Sequence, residues 1–227
     1  MTKTLSWSWS AIKVWMDCPK RYWYTKVDKS VKDPPSKSMA DGDEIHKSIQ
    51  FYLQHGKPLV ERVQFLQPVL DALRSKSGTL IAERSVTLRR DMRETTWDDW
   101  TNAWVRCKLD VVLLSNDGKK AAVIDWKTGK IKQDERQLQL CALVLFALYP
   151  GLEQVQAQYY WLDIPNQSGQ WGEAVVVTRH DIDRLWCHFN DVVAERDACH
   201  LENVWNATPG RHCRWCPAKD VCADASK

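Results

Sequence analysis

Asp125 and Lys127 flank Trp126 in a segment whose composition predicts a β-strand. Side chains alternate between the two faces of a strand, so Asp125 and Lys127 point one way and Trp126 points the other. A carboxylate that binds a divalent metal ion and a lysine beside it suit the hydrolysis of a phosphodiester bond. This triplet is therefore the first candidate for chemistry in the chain.

A hairpin is predicted immediately before this triplet. Residues 104–115 and 121–127 are rich in Val, Ile, Leu and Ala, and each segment is long enough for a strand. The Asp117-Gly118 dipeptide lies between them and is a strong short-range signal for a hairpin. We expect a two-residue type I′ turn at this dipeptide.

The expected turn pairs Asp110 directly with Asp125. Directly paired Cβ atoms lie about 4.5–5.5 Å apart, which lets both carboxylates hold one ion. Two carboxylates at that distance repel each other unless a cation lies between them or one of them takes a proton. The alternative is a solvated sheet edge at which Lys108 and Lys127 neutralise the acids. A β-bulge would break the pairing.

Composition places few limits on function. The 227 residues are 44% hydrophobic and 27% charged, which is typical of one large globular domain. The net charge of +3 is too small to indicate a nucleic-acid partner, so any DNA-binding charge must be local. There is no apolar segment long enough to cross a membrane and no signal peptide, so we expect a soluble, cytoplasmic protein without a membrane partner. Most of the 13 tryptophans are expected in packing, although exposed ones can stack on bases.

The order of predicted elements indicates an α/β fold with a mixed central sheet flanked by helices. We expect one domain over 1–227, with a helical part (1–78), a core (79–200) and a cysteine tail (201–227). Ser8 is expected to cap the first helix and Thr178 and Asp181 to form a capping box before the last one. The predicted helices are 8–16, 38–55, 60–75 with a break at Pro68, 133–148, and 178–200. The predicted strands are 80–88, 104–115, 121–127, 155–162 and 173–177.

Three cysteines in the tail have the spacing of metal ligands. They are Cys213, Cys216 and Cys222, and Cys18 near the other end of the chain is the best candidate for a fourth ligand. Four thiolates suit either zinc or a [4Fe–4S] cluster, and spacing alone leaves both open. His212 could replace one thiolate in a zinc site, and free cysteines in a mobile tail are the remaining alternative. The other cysteines are interpreted as small buried hydrophobic residues: Cys107, Cys141, Cys187 and Cys199.

Six segments, in order along the chain, resemble the RecB-type branch of the PD-(D/E)XK nuclease superfamily. The likeness is greatest to its iron–sulfur members, the AddB-type nuclease domains and the CRISPR-associated RecB-like exonucleases. Any one motif is weak, but the ordered set from residue 5 to residue 222 is specific. The segments are Leu5-Ser6-Trp7-Ser8 with Cys18-Pro19-Lys20-Arg21, Gly42-x3-His46, Lys108-Leu109-Asp110, Asp125-Trp126-Lys127-Thr128-Gly129, Gln137-x3-Cys141, and the three tail cysteines.

The resemblance implies a restriction-endonuclease-like core and a metal-dependent nuclease that acts on DNA, more as an exonuclease than as an endonuclease. It implies Mg²⁺ or Mn²⁺ at the catalytic centre and a [4Fe–4S] cluster on Cys18, Cys213, Cys216 and Cys222. The implied metal ligands are His46, Asp110, Asp125 and the backbone carbonyl of Trp126, with Lys127 and Gln137 as further catalytic residues.

Two positions depart from the family pattern, and one carboxylate is ambiguous. Cys141 stands where the family has a tyrosine, which questions that residue's proposed role. Lys108 stands in a region that usually holds glycine. Glu83, on the strand before the hairpin, is a weak candidate for a second metal and equally fits a solvent-facing position.

Local cations and aromatic residues are the expected contacts to DNA. They are Lys20, Arg21, Lys130, Lys132, Arg211, Arg214 and Trp215, each individually a weak candidate. The competing hypotheses are a catalytically silent binding or assembly module on the same fold, and a structural zinc protein with an unrelated sheet. A protein partner or a homo-oligomer fits a chain of this size.

Overall fold

The computed structural model of the protein describes residues 5–32 and 37–225. The α-helices are Trp9–Asp17 (α1), Pro19–Tyr22 (α2), Lys37–His55 (α3), Gln67–Arg74 (α4), Glu135–Leu148 (α5) and Ile182–Glu202 (α6). The strands are Thr79–Leu88 (β1), Glu94–Thr95 (β2), Val105–Leu114 (β3), Lys120–Lys127 (β4), Gln154–Asp163 (β5), Ser168–Trp171 (β6) and Val175–Thr178 (β7). Short π- or 3₁₀-helical segments are Trp23–Val27, Glu61–Leu66, Arg179–Asp181 and Arg211–Trp215.

The strands form one mixed sheet with the order β2-β1-β3-β4-β5-β6. The β4–β5 pair is parallel, because α5 connects these strands as a crossover, and the other pairs are antiparallel. Strand β7 pairs with the first half of β5, on the same edge that β6 uses further along. The predicted α/β fold with a mixed sheet between helices is confirmed.

Helices cover both faces of the sheet. One face packs against α1, α5 and α6. Of the nine positions of α5 from 138 to 146, all except Gln139 are buried. The other face packs against α3 and α4 through residues such as Ile49 and Leu70. A smaller cluster of Trp15, Tyr22 and Trp205 joins the first helices to the segment after α6.

Local sequence signals explain most of the element ends. The Ser8 side chain accepts a hydrogen bond from the Ala11 N–H and caps α1. Thr178 and Asp181 form the predicted capping box. The predicted break near Pro68 is a change from 3₁₀-helix to α4, with the proline in the first turn. The weakly alternating strands β2 and β6 were not predicted.

The hairpin between β3 and β4 has the expected register but a different turn. Leu114 pairs with Ala121 and Val111 pairs with Ile124, as the prediction required. Asp117 does not adopt the positive φ of a type I′ turn, and only Gly118 does, at φ 67°. The Gly118 N–H bonds the Ser115 carbonyl at 2.9 Å, so a longer loop replaces the predicted two-residue turn.

Only one of the four cysteines outside the tail pattern is fully buried. Cys141 is buried on α5, whereas Cys107 and Cys199 are half-buried and Cys187 is exposed on α6. The prediction of small buried residues is confirmed for Cys141, is partly met by Cys107 and Cys199, which pack against hydrophobic clusters, and is wrong for Cys187, which lies on the solvent side of α6. The Cys107 and Cys141 sulfur atoms lie 3.8 Å apart. Within the described residues, no helix has both the length and the apolar character that crossing a bilayer requires.

Candidate active site

The β3–β4 ladder stops just before the two aspartates, so the predicted direct pairing of Asp110 with Asp125 is not part of it. The last paired residues are Val111 and Ile124, and beyond them the Trp126 N–H donates a hydrogen bond to Asp110 Oδ2 at 2.8 Å. Asp110 therefore uses its side chain to replace a ladder bond between the separating strands. Because Asp110 and Asp125 are both buried, at 9% and 5% exposure, their charges are poorly screened by water.

Strands β1 and β3 are irregular at the same level. Their ladder pairs Ala82 with Val111 and Arg84 with Leu109, but not Glu83 with Asp110. Glu83 has a φ of +55°, which is unfavourable for a residue with a Cβ atom. Irregular positions of this kind re-aim side chains beside functional sites.

This irregularity brings Glu83 and Asp110 to one residue of α3. His46 Nδ1 lies 3.4 Å from Glu83 Oε1 and 3.4 Å from Asp110 Oδ1. One ligand atom from each of the three side chains lies within 4.8 Å of the others. Two carboxylates and an imidazole form a donor set for a divalent cation, with oxygen suiting Mg²⁺ or Mn²⁺ and the nitrogen favouring Mn²⁺.

The electrostatics of His46 indicate that this pocket stabilises positive charge. Burial by itself lowers the pKa of His46, but hydrogen bonds and charge from Asp110 and Glu83 outweigh burial and raise the pKa to about 10. The imidazole is therefore protonated at neutral pH in the metal-free protein. A metal ion bound here must displace that proton.

Asp125 and Lys127 face α5, as alternation predicted. Lys127 Nζ lies 2.5 Å from Asp125 Oδ2, and the Gln137 side-chain amide donates to Asp125 Oδ1 at 2.9 Å. Burial and the charge of Asp110 raise the pKa of Asp125 to about 6, against the lowering effect of Lys127. Trp126 points to the opposite face, where it packs against Tyr160.

Tyr159 on β5 is a member of this site that sequence reasoning missed. Its hydroxyl lies 2.9 Å from the Asp134 carbonyl and 3.2 Å from Gln137 Oε1, and its ring centre lies 5.1 Å from Lys127 Nζ. The signal was available only through topology, because the parallel pairing of β4 with β5 puts Tyr159 opposite Asp125. A tyrosine therefore reaches the site although Cys141 occupies the family's tyrosine position.

The four cysteines of the predicted cluster site line one pocket. Cys18, at the start of α2, meets Cys213, Cys216 and Cys222 from the tail. The Thr208 N–H and the Gly210 N–H lie 3.4 Å from the Cys18 and Cys213 sulfur atoms, respectively. His212 lines the same pocket.

These four thiol side chains are a donor set that suits either a single zinc ion or a [4Fe–4S] cluster.

The predicted DNA-contacting residues are divided among three regions. Arg21 lines both the cysteine pocket and a groove beside α1, and Lys20 is its half-buried neighbour on α2. Arg214 and Trp215 are exposed in the tail, the latter at 78%. Arg211 is exposed in the same tail segment, and Lys130 and Lys132 are exposed in the loop between β4 and α5.

Comparison with known proteins gives a family match for nearly the whole chain. The sequence matches the family model of the PD-(D/E)XK nuclease superfamily over residues 6–223. Among solved structures, the crystal structure of SSO0001 aligns at 14% sequence identity with a TM-score of 0.43, covering 100% of this chain and 89% of that chain. No curated protein matches the sequence.

Proposed function

Because the chain belongs to the PD-(D/E)XK nuclease superfamily, we propose that it is a metal-dependent deoxyribonuclease that hydrolyses phosphodiester bonds at DNA ends or in single strands. The observation that carries the proposal is the meeting of His46, Glu83 and Asp110 around a position that favours a cation. Such an enzyme serves replication, recombination or repair, and an exonuclease is the form we favour. Membership of the RecB-like branch is part of the same proposal.

The protein's side chains divide the catalytic work. His46, Glu83 and Asp110 would hold Mg²⁺ or Mn²⁺, with Asp125 and the Trp126 carbonyl as the further ligands that the family resemblance implies. When bound, the ion would lower the pKa of a water ligand and stabilise negative charge on the phosphate. Glu83 is included among the proposed ligands because it lies as close to His46 as Asp110 does. From the sequence it was only a weak candidate for a second metal.

Lys127 and its neighbours act on the reacting phosphate. The Lys127 ammonium, held beside Asp125, donates a hydrogen bond to the attacking water or to a phosphate oxygen. Gln137 fixes the orientation of Asp125 by donating to Oδ1, and Tyr159 restrains Gln137 in turn. This chain of contacts holds the lysine and the carboxylate in one geometry before substrate arrives.

The cysteine pocket is proposed to hold a [4Fe–4S] cluster on Cys18, Cys213, Cys216 and Cys222. The likeness of the four-cysteine pattern to that of iron–sulfur nucleases supports this choice, and the two backbone N–H groups near the Cys18 and Cys213 sulfur atoms would stabilise thiolate ligands. The cluster ties the tail to α2 and thereby stabilises a segment too short to form a core of its own. DNA is the proposed substrate. We also propose that the chain associates with a protein partner or with a second copy of itself.

Cleavage of labelled DNA tests the proposed activity. End-labelled linear and circular DNA, single- and double-stranded, is incubated with the protein in Mg²⁺ or Mn²⁺ beside two lysine variants. Lys127→Ala removes the proposed catalytic ammonium, whereas Lys119→Ala removes an exposed lysine that pairs with Glu153 at the far end of the same hairpin. We expect loss of cleavage by about 10²-fold or more in Lys127→Ala only.

The outcomes separate the alternatives. Digestion of linear DNA with sparing of circles establishes an exonuclease, and cleavage of circles establishes an endonuclease. DNA binding without cleavage by the folded, metal-loaded protein refutes the nuclease and favours the silent binding module. Stoichiometric zinc without iron after anaerobic purification refutes the cluster.

A further inference from the structure

A groove lies between α1 and the loop that joins β2 to β3, and it reaches the candidate active site. Its floor includes Cys107 on β3 and Leu140 and Cys141 on α5, and its volume is about 600 Å³. Gln137 also lines it, and the same side chain donates to Asp125. The groove is large enough for a ligand of several ring systems, and Gln137 is the residue that it shares with the candidate active site.

One exposed indole and two cations lie together on one wall of this groove. Trp97, on the β2–β3 loop, lines the groove and keeps 36% of its surface exposed. The Arg106 guanidinium carbon and Lys108 Nζ each lie 5.8 Å from the Trp97 ring centre. Trp100, on the same loop, is 62% exposed and lies outside the lining, with its ring centre 4.5 Å from the Arg106 guanidinium carbon. The wall therefore combines an aromatic face with positive charge.

The loop that carries the indoles is fixed by hydrogen bonds. Arg106 is 8% exposed, and its guanidinium donates to the carbonyls of Trp97 and Asp99 at 3.3 and 3.4 Å. The Asp99 carboxylate accepts bonds from the N–H groups of Thr101 and Asn102 at 3.1 and 2.8 Å. The indoles are thus held in place before a ligand binds, which lowers the entropy lost on stacking.

The charge of the groove favours an anionic ligand. Its lining carries four cationic side chains and one carboxylate: Lys13, Arg21, Arg106, Lys108 and Asp17. The acid nearest to Lys13 is Asp134, which forms an ion pair with it at 3.0 Å and also accepts from the Trp9 indole. Arg106 is committed to the loop carbonyls, so the exposed Lys108 is the cation that offers a contact to phosphate, and the Trp97 indole offers a face to a flat ring.

We propose that this groove binds a single nucleic-acid strand and leads it to the active site, with one base stacked on Trp97. A single strand presents unpaired base faces together with phosphates, whereas the bases of a duplex are stacked on each other and give an indole no free face. The inference rests on the proposed nuclease function and adds the strand type and its path. The stacking residue, Trp97, is carried by the β2–β3 loop.

Binding without cleavage tests the groove separately from the activity. Anisotropy of a labelled 20-nucleotide oligo-dT and of a matched duplex is measured in EDTA at fixed salt. Trp97→Ala removes the stacking face, Trp97→Phe keeps an aromatic ring, and Trp171→Ala is the matched control because Trp171 is 45% exposed on β6. Loss of one stacked base corresponds to about 5- to 150-fold weaker binding.

We expect Trp97→Ala to weaken binding of the single strand by that factor, Trp97→Phe to keep most of it, and Trp171→Ala to bind as wild type does. Equal binding of oligo-dT by Trp97→Ala and wild type overturns the groove, as does an equal loss of duplex binding. If Trp97→Ala does not fold, Lys108→Ala replaces it in the experiment. The slope of log affinity against log salt concentration should then fall by about one unit, which corresponds to one lost phosphate contact. Cleavage by wild type with no effect at Trp97 or Lys108 overturns the groove alone. A Trp97 effect without any cleavage supports the groove and refutes the nuclease.

Discussion

Replacing Asp125 by Asn should stabilise the metal-free protein while removing its activity. The Asp125 carboxylate is buried beside Asp110, and its pKa rises from 3.8 to about 6. An acid whose pKa rises on folding favours the unfolded state once it is ionised, because the folded protein holds its charge at higher cost. The site therefore lowers stability in the absence of metal, as expected for a place that functions by binding a cation.

The size and pH dependence of this effect follow from the same pKa. A rise from 3.8 to about 6 corresponds to about 3 kcal/mol of lost stability at pH 7. The loss is absent below the unfolded pKa, develops between about pH 4 and pH 6, and is complete above that range. Asn can still accept the bond from Gln137, but its NH₂ faces Lys127, so we expect a gain of about 1–3 kcal/mol at pH 7.

Urea unfolding measures this gain directly. Wild type and Asp125→Asn are compared in EDTA at pH 7 and near pH 4, with equal m-values as the check that both unfold in the same way. The difference should shrink to below about 1 kcal/mol near pH 4. With Mn²⁺ present, wild type should gain more stability than the variant. If Asp125→Asn is less stable than wild type at pH 7 in EDTA, the ionised Asp125 does not destabilise the metal-free folded protein.

Four further predictions concern other residues of the two sites. His46→Ala should destabilise the metal-free protein at pH 7, because the folded state raises the pKa of His46 to about 10. The stability that this shift adds is complete below pH 6.5 and is lost only as pH rises through 10. Unfolding in EDTA measures the loss, and equal stability of variant and wild type contradicts the prediction. Mn²⁺ binding at pH 7 should release about one proton from wild type and none from His46→Ala. The number of protons released is measured by calorimetry in buffers that differ in ionisation enthalpy. Cys18→Ala should lower both the iron content and the melting temperature, since it unties the tail from α2; unchanged melting argues against the four-cysteine site. Tyr159→Phe should reduce cleavage by about 5-fold, the effect of one lost hydrogen bond on Gln137, and an unchanged rate shows that Gln137 needs no restraint.

Periodic patterns predicted the positions of the strands and the register of the central hairpin. Val, Ile and Leu on both faces identify β3 and β4, and the register follows from the position of the turn, so Leu114 pairs with Ala121 as expected. The type of turn was wrong because Asp117 takes an ordinary φ and Gly118 alone provides the left-handed one. A longer loop with the same register leaves the strand pairing unchanged.

The geometry of Glu83 was beyond sequence patterns. A positive φ at Glu83 and the missing Glu83–Asp110 pair are set by the packing of α3 against β1 and β3, not by the residue's own preference. Tyr159 was missed for a related reason, since its contact with Gln137 depends on the parallel pairing of β4 and β5. Residues that contribute through tertiary geometry carry no periodic signal of their own.

The most direct measurement of the central claim is the anomalous scattering of Mn²⁺ in crystals of the protein. We expect one strong peak about 2.0–2.3 Å from ligand atoms of His46, Glu83 and Asp110, which lie close together, with Asp125 as the further proposed ligand. The same soak of Asp110→Asn crystals should lose most of that peak. A peak elsewhere in the protein, or no peak at saturating Mn²⁺ in wild type, would contradict the assignment of these residues as the metal centre.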